Sequence, residues 1–276
     1  MRYLKTLMLL MVAASLGGCA FWNNPRTQQR TGSVVDYLYP DARSAPSLAP
    51  SVVKLRPPVK VGIAFVPGSG YSAMPEAGKM KLLESVRASF ARHDYIGKID
   101  IIPSQYLRAK GGFDNLQQVG RMFDVEVIAL LSYDQVQFND SNALSVLYWT
   151  IVGAYVINGD QYDIQTMLDA SVFDVASRKL LFRAPGVSRV KGSATAAGFT
   201  EKARAAQDAG YQRAVDDLVP QLQAQLDGFR ERVKNDHTNY QVENKAGYKG
   251  GGGMGWISLA LAALLGGIAY AVRRRV

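Results

Sequence analysis

One cysteine and two histidines are all this sequence offers of the thiol and imidazole groups that hold zinc or relay protons at neutral pH. His93 and His237 lie far apart, and Cys19 is distant from both. A structural zinc site takes four Cys or His donors and a catalytic one three protein ligands, so neither a metal centre nor a cofactor is expected. A serine nucleophile would have to use His93 as its base, and Ser69, in PGSGYS, lacks the G-x-S-x-G spacing of a nucleophile elbow. AGKM, residues 77–80, fails as a phosphate loop because Ala73 stands where the first glycine belongs and Met80 follows the lysine. PGSG, residues 67–70, could cradle an anion but reads as a turn. Asp124 and Glu126 are expected on one strand face, and Asp216 beside Asp217 on a helix; solvated surface is the default for both pairs. The expectation is a protein that is not an enzyme.

The chemistry left to Cys19 depends on what precedes it. Arg2 and Lys5 stand in front of an apolar core, residues 7–16, followed by small residues and then the cysteine. That is the order of a secretory signal peptide, residues 1–18. Its apolar part, roughly 10 residues, is too short to cross a hydrocarbon core that needs about 20. Leu16, Gly17, Gly18 and Cys19 resemble the lipobox of bacterial lipoproteins. The resemblance implies cleavage before Cys19 and lipid on its thiol and new amino group, added by the lipoprotein-processing enzymes. An ordinary free or buried thiol is the other reading. Either way a lone cysteine forms no disulfide within the chain, so an exported domain must be held by its core. Ala20 follows where inner-membrane retention would use Asp, so the resemblance implies the outer membrane or the cell surface.

Lipid alone is a sufficient anchor, because about 0.8 kcal/mol per buried CH₂ makes two chains stable. Yet Met254 to Val272 carries no charge and as a helix would span roughly 28 Å, enough for one C-terminal transmembrane helix. Arg273, Arg274 and Arg275 would keep its end cytoplasmic. Before it runs Gly250, Gly251, Gly252 and Gly253. Glycine costs about 1 kcal/mol relative to Ala inside a helix, so this run eases unwinding at the top of the segment. The tail resembles the GlyGly-CTERM sorting signal cut by rhombosortases, which are rhomboid-family intramembrane proteases. Permanent anchoring through a glycine hinge is the alternative.

These ends, SVVDYLYP at residues 33–40, VGIAFVP at 61–67 and VFDVASRKLLFRAPG at 172–186 are together similar to the rhombotarget lipoproteins. The resemblance implies processing and leaves the domain's activity open. A substrate of a rhombosortase-like protease is implied, held at the inner membrane only transiently.

The formal net charge of +9 is inflated by the tags. Removing Arg2, Lys5 and the three terminal arginines leaves a surplus of four, and no basic run interleaved with aromatics appears, so no nucleic-acid partner is expected. Residues 19–58, rich in Pro, Ser, Arg and Gln, read as a lipidated tether, with VVDYLY forming a short strand or docking on the domain. Residues 59–233 read as one globular domain, 234–253 as a polar and glycine-rich linker, and 254–276 as the sorting signal.

Within the domain, VKVGIAFV, KIDIIP and DVEVIALLSYDQVQF read as strands, the last with Val127, Ala129, Leu131 and Tyr133 on one face. Between them lie a helix carrying Met80, Leu83, Val86 or Arg87, and Phe90, and another carrying Leu116, Val119 and Phe123. A hairpin across VASRK follows, then a closing helical segment, residues 200–233, that Pro220 should kink or divide. The expected class is α/β, a partly parallel mixed sheet with covering helices, mainly on one face. The order is similar in fold to CsgG-type lipoproteins, a likeness that carries no function.

The apolar stretch 143–157 is short of membrane length and reads as core, or as a loop contacting a membrane or partner through Tyr148, Trp149 and Tyr155. The expected function is a non-enzymatic envelope protein that self-associates or binds an envelope partner. A double-anchored tether, or a hydrolase whose site leaves no sequence signature, stands as the alternative.

Overall fold

The computed structural model describes residues 27–40, 52–68, 74–141 and 159–248. Its chain order is β1 (Thr27–Gly32), α1 (Val34–Leu38), β2 (Val53–Leu55), β3 (Val59–Phe65), α2 (Glu76–Phe90), β4 (Ile96–Ile101), a 3₁₀ turn (Ser104–Tyr106), α3 (Gly112–Met122), β5 (Val127–Ser141), β6 (Asp160–Asp174), β7 (Leu180–Ala194), α4 (Phe199–Asn235) and β8 (Tyr240–Val242). The large sheet runs β4-β3-β5-β6-β7. β3 is parallel to both β4 and β5, whereas β5, β6 and β7 are antiparallel. This is the mixed α/β arrangement that the β-α-β-α-β opening predicts.

β5 organises the molecule because both its faces are buried, in separate cores. Val127, Ala129, Leu131 and Tyr133 point into a cluster with Leu83, Val86 and Phe90 of α2 and Val215, Leu218 and Phe229 of α4. Ile128 and Leu130 point the other way, against Tyr37 and Leu38 of α1 and Phe113, Leu116 and Val119 of α3. Alternation of side chains along a strand produces this division. The expectation of a sheet covered mainly on one face is therefore corrected: α1 and α3 cover the second face.

Farther along β5 the inward positions turn polar. Gln135 and Gln137 are buried, where Gln135 donates to Thr166 Oγ1 (2.8 Å) and to the Gln207 carbonyl (3.0 Å). Gln207 donates in turn to Gln137 Oε1 (2.6 Å). α4 lies close here through Ala203, Ala206 and Gly210, and Ser188 Oγ donates to the Gly210 carbonyl (2.7 Å). A Cβ on Gly186 of β7 would come within 2.3 Å of the Ala214 carbonyl oxygen, so the strand and α4 touch backbone to backbone.

Segments flanking residues 59–233 also join the fold. β1 pairs antiparallel with β5 over Tyr133 to Phe138, next to the stretch where β3 pairs with it over Val127 to Leu131. The two strands thus share one edge of β5. β8 pairs in parallel with β2. VVDYLY forms a docked helix rather than a strand: Ser33 Oγ caps it by accepting from Asp36 N (3.2 Å), and Tyr37 and Leu38 are buried.

α4 corrects the division expected at Pro220, because it runs unbroken through that residue. Pro220 is exposed, so the lost backbone bond faces solvent, while Ala214, Leu218 and Leu222 hold the opposite side on the sheet. Among the described residues no helix is long and apolar enough to cross a membrane.

Candidate functional site

The residues carrying the sequence's sharpest signals lie outside the described residues: Cys19 with Leu16, Gly17 and Gly18, the run Gly250 to Gly253 with the tail through Arg273, Arg274 and Arg275, and also Ser69, Tyr148, Trp149 and Tyr155. The stretch 143–157 falls in the connection between β5 and β6, whose ends pair Ser141 with Asp160.

The remaining titratable candidates do not converge. Asp124 sits in a turn with φ of 53°, ahead of β5 rather than on its face, and pairs with Lys60. Glu126 also precedes the strand and accepts from Lys245 Nζ (2.8 Å) and Lys60 N (3.2 Å). Asp217 accepts from Val187 N (2.9 Å), tying α4 to β7, whereas Asp216 accepts from Gln212 (3.2 Å). His93 is stacked beside Tyr95, with ring centroids 5.1 Å apart, and tilted against Phe90 at 5.9 Å. These contacts make it a packing residue. Among the described residues no three His, Cys, Asp or Glu side chains are grouped to hold a metal.

The structure adds a polar cluster that the sequence did not show. Lys79 of α2 is 4% exposed and donates to Ser104 Oγ (3.0 Å). Its ammonium lies 3.6 Å from Glu76 and 5.8 Å from the Tyr133 ring centre. Ser104 donates to the Glu76 carboxylate from both its hydroxyl and its backbone N–H, the latter at 2.7 Å. Burial works to raise the Glu76 pKa, but the bonds from Ser104 and the Lys79 charge outweigh it and hold the carboxyl below its ordinary value. A lysine beside a serine hydroxyl resembles a nucleophilic dyad, yet the serine proton is already committed to Glu76. The arrangement pins the start of α2 to the turn after β4.

A concavity of about 490 Å³ lies beside α1, between β1 and β6. A smaller, apolar cleft of about 280 Å³ lies between the sheet, α2 and α4. Val59, Val61, Ile63, Val127, Ala129 and Leu131 form its floor; Val86 and Phe90 of α2 face Leu222, Leu226, Phe229 and Val233 of α4 across it. Leu55 of β2 and Val242 of β8 complete the wall. All the charged groups lining it, Arg87, Asp94, Arg230 and Lys234, belong to exposed residues. Tyr95 and Tyr248 also line it. The Arg230 guanidinium lies over the Tyr95 ring, 4.5 Å from its centre. The Tyr95 hydroxyl oxygen is buried with no hydrogen-bond partner among the described residues, and burial above all pushes its pKa up. Sequence periodicity assigns most of these residues to helix and strand faces. The signal that a cleft lies among them is the apolar stripe of α4 continuing to Val233.

No family model matches the chain, and no curated protein matches it. Solved structures resemble it distantly in fold. A putative neuraminyllactose-binding hemagglutinin homolog from Helicobacter pylori is 8% identical, with a TM-score of 0.39, covering 68% of this chain and 97% of its own. Protein XCC0632 from Xanthomonas campestris is 11% identical, with a TM-score of 0.31, over 65% of this chain and 92% of its own. Lipoprotein GNA1162 from Neisseria meningitidis is 13% identical, with a TM-score of 0.27, over 54% of this chain and 98% of its own.

Proposed function

We propose that this chain is an exported bacterial lipoprotein, lipidated on Cys19 and cut in its glycine run by a rhombosortase-like intramembrane protease, whose α/β domain binds a partner at the envelope and catalyses nothing. The observation that carries the reading is the joint presence of LGGC behind a secretory leader and of glycines, an uncharged membrane-length segment and three arginines at the opposite end. The fold is compatible with loss of the tail. Glu243 N donates to the Leu55 carbonyl and Lys245 N to that of Pro57, both at 2.9 Å, so the chain is fastened to the body just before the glycines begin. The partner-facing surface in this reading is the β5–β6 connection with Tyr148, Trp149 and Tyr155, used by a second copy or by another envelope protein. Nucleic acid has no part in it.

Mass spectrometry of the protein isolated from its native membranes tests the proposal. Diacylated or triacylated Cys19 and a C-terminus within residues 250–253 are the expected results. An intact Val276 would overturn the processing step and leave a protein anchored at both ends.

A further inference from the structure

The cleft between α2, α4 and the sheet is too specific in its chemistry to be mere slack in the core. Its floor and facing walls are hydrocarbon, and the charges gather among exposed residues. Its volume is near the lower end of small-molecule sites, which start at about 300 Å³. A helix, about 10 Å wide with its side chains, does not fit such a space. An extended peptide would fit, but its amides would lie against walls without hydrogen-bonding groups and be left unpaired there. The occupant must therefore be thin and apolar along its buried length.

The polar groups specify its exposed end. Of the four charged residues lining the cleft, three are cations, Arg87, Arg230 and Lys234, against the single anion Asp94. Each cation also meets an acid one turn back, Glu84, Asp227 and Glu231 respectively. Exposed pairs of that kind bind weakly and exchange readily, so the cations can accept a second anion. Arg230, seated over the Tyr95 ring, lines the cleft and supplies a cationic donor there.

We propose that the cleft binds one long-chain fatty acid, its hydrocarbon chain on the Ala129 floor between α2 and α4 and its carboxylate accepting from Arg230. This inference stands apart from tail processing and would survive the loss of that reading, because the cleft and Arg230 belong to the described domain.

The test uses the full chain in phosphatidylcholine vesicles with a diazirine-bearing palmitic acid, the labelled peptides being mapped after photolysis. Saturable labelling of residues 86–95 and 222–233 is expected, with palmitate competing at least 10-fold better than hexadecanol. Ala129→Phe, which fills the floor, should cut labelling of these peptides at least 10-fold. Leu226→Trp, on the partly exposed wall, serves the same purpose should Ala129→Phe fail to fold. Arg230→Gln should raise the palmitate concentration needed for half-competition several-fold and leave hexadecanol unchanged. The proposal is overturned by label confined to residues 254–272, by labelling that both blocking variants leave intact, or by equal competition from acid and alcohol. An unlabelled cleft in the full chain overturns it as well, whether the space is taken by the protein's own tail or by a second copy.

Discussion

Lys79 shows how a charged side chain can be kept inside a core. Its ammonium has two partners, Ser104 Oγ and the Glu76 carboxylate, and the edge of a π-face nearby in Tyr133. Glu76→Gln would leave that ammonium with neutral partners only, and a loss of about 1–3 kcal/mol in chemical denaturation is expected. The pH dependence follows from the lowered Glu76 pKa. Its contribution is fully present above the unfolded value of about 4.3 and is lost as pH falls through the lower folded value. Melting curves from pH 6 down to pH 3 should therefore show a shallower acid limb in Glu76→Gln than in the parent. An identical limb would mean that the carboxylate draws no net support from Ser104 and Lys79.

At the level of elements, the close seat of α4 on the sheet sets two expectations. Gly186→Ala would push a methyl into the Ala214 carbonyl, and overpacking of this kind costs roughly 1–3 kcal/mol. Pro220→Ala should act in the opposite direction, since proline is about 3 kcal/mol worse than alanine inside a helix, offset in part by the greater freedom alanine gives the unfolded chain. Thermal melts of the two variants should move to opposite sides of the parent. The elements most legible in the sequence were those with strong apolar periods: β3, β5 with Val127 to Tyr133 inward, the β6–β7 hairpin and the α4 stripe. β1 was invisible because TQQRTG has no apolar alternation; its place comes from backbone pairing with the edge of β5 that β3 leaves open. The buried amides of Gln135, Gln137 and Gln207 were unreadable for a related reason, as each is satisfied only by residues distant in sequence. The cleft was legible residue by residue but not as a space, because periodicity says which side chains face inward and not whether facing elements meet.

Across the whole molecule, segments on either side of residues 59–233 are bound into one structure. Lys245 reaches the Pro58 carbonyl (3.1 Å) and Glu126 (2.8 Å), joining the C-terminal part of the chain to the start of β3 and the loop before β5. Lys245→Met should lower stability by about 1–2 kcal/mol and should raise hydrogen-exchange rates in β2 and β8 before those in β5. Simultaneous loosening of β5 would show instead that the small sheet and the large one unfold as a unit.

Pairing of β1 with β5 also sets how far the domain could stray from the lipid anchor proposed on Cys19. Were residues 19–58 a free leash, the body could wander more than about 100 Å from a lipid on Cys19. The sheet takes hold at Thr27, eight residues on, which shortens the leash to at most about 29 Å. A lipidated copy is thus confined to a shell barely one domain deep above the bilayer. There it meets other membrane-bound molecules at a far higher effective concentration than it would on a long stalk.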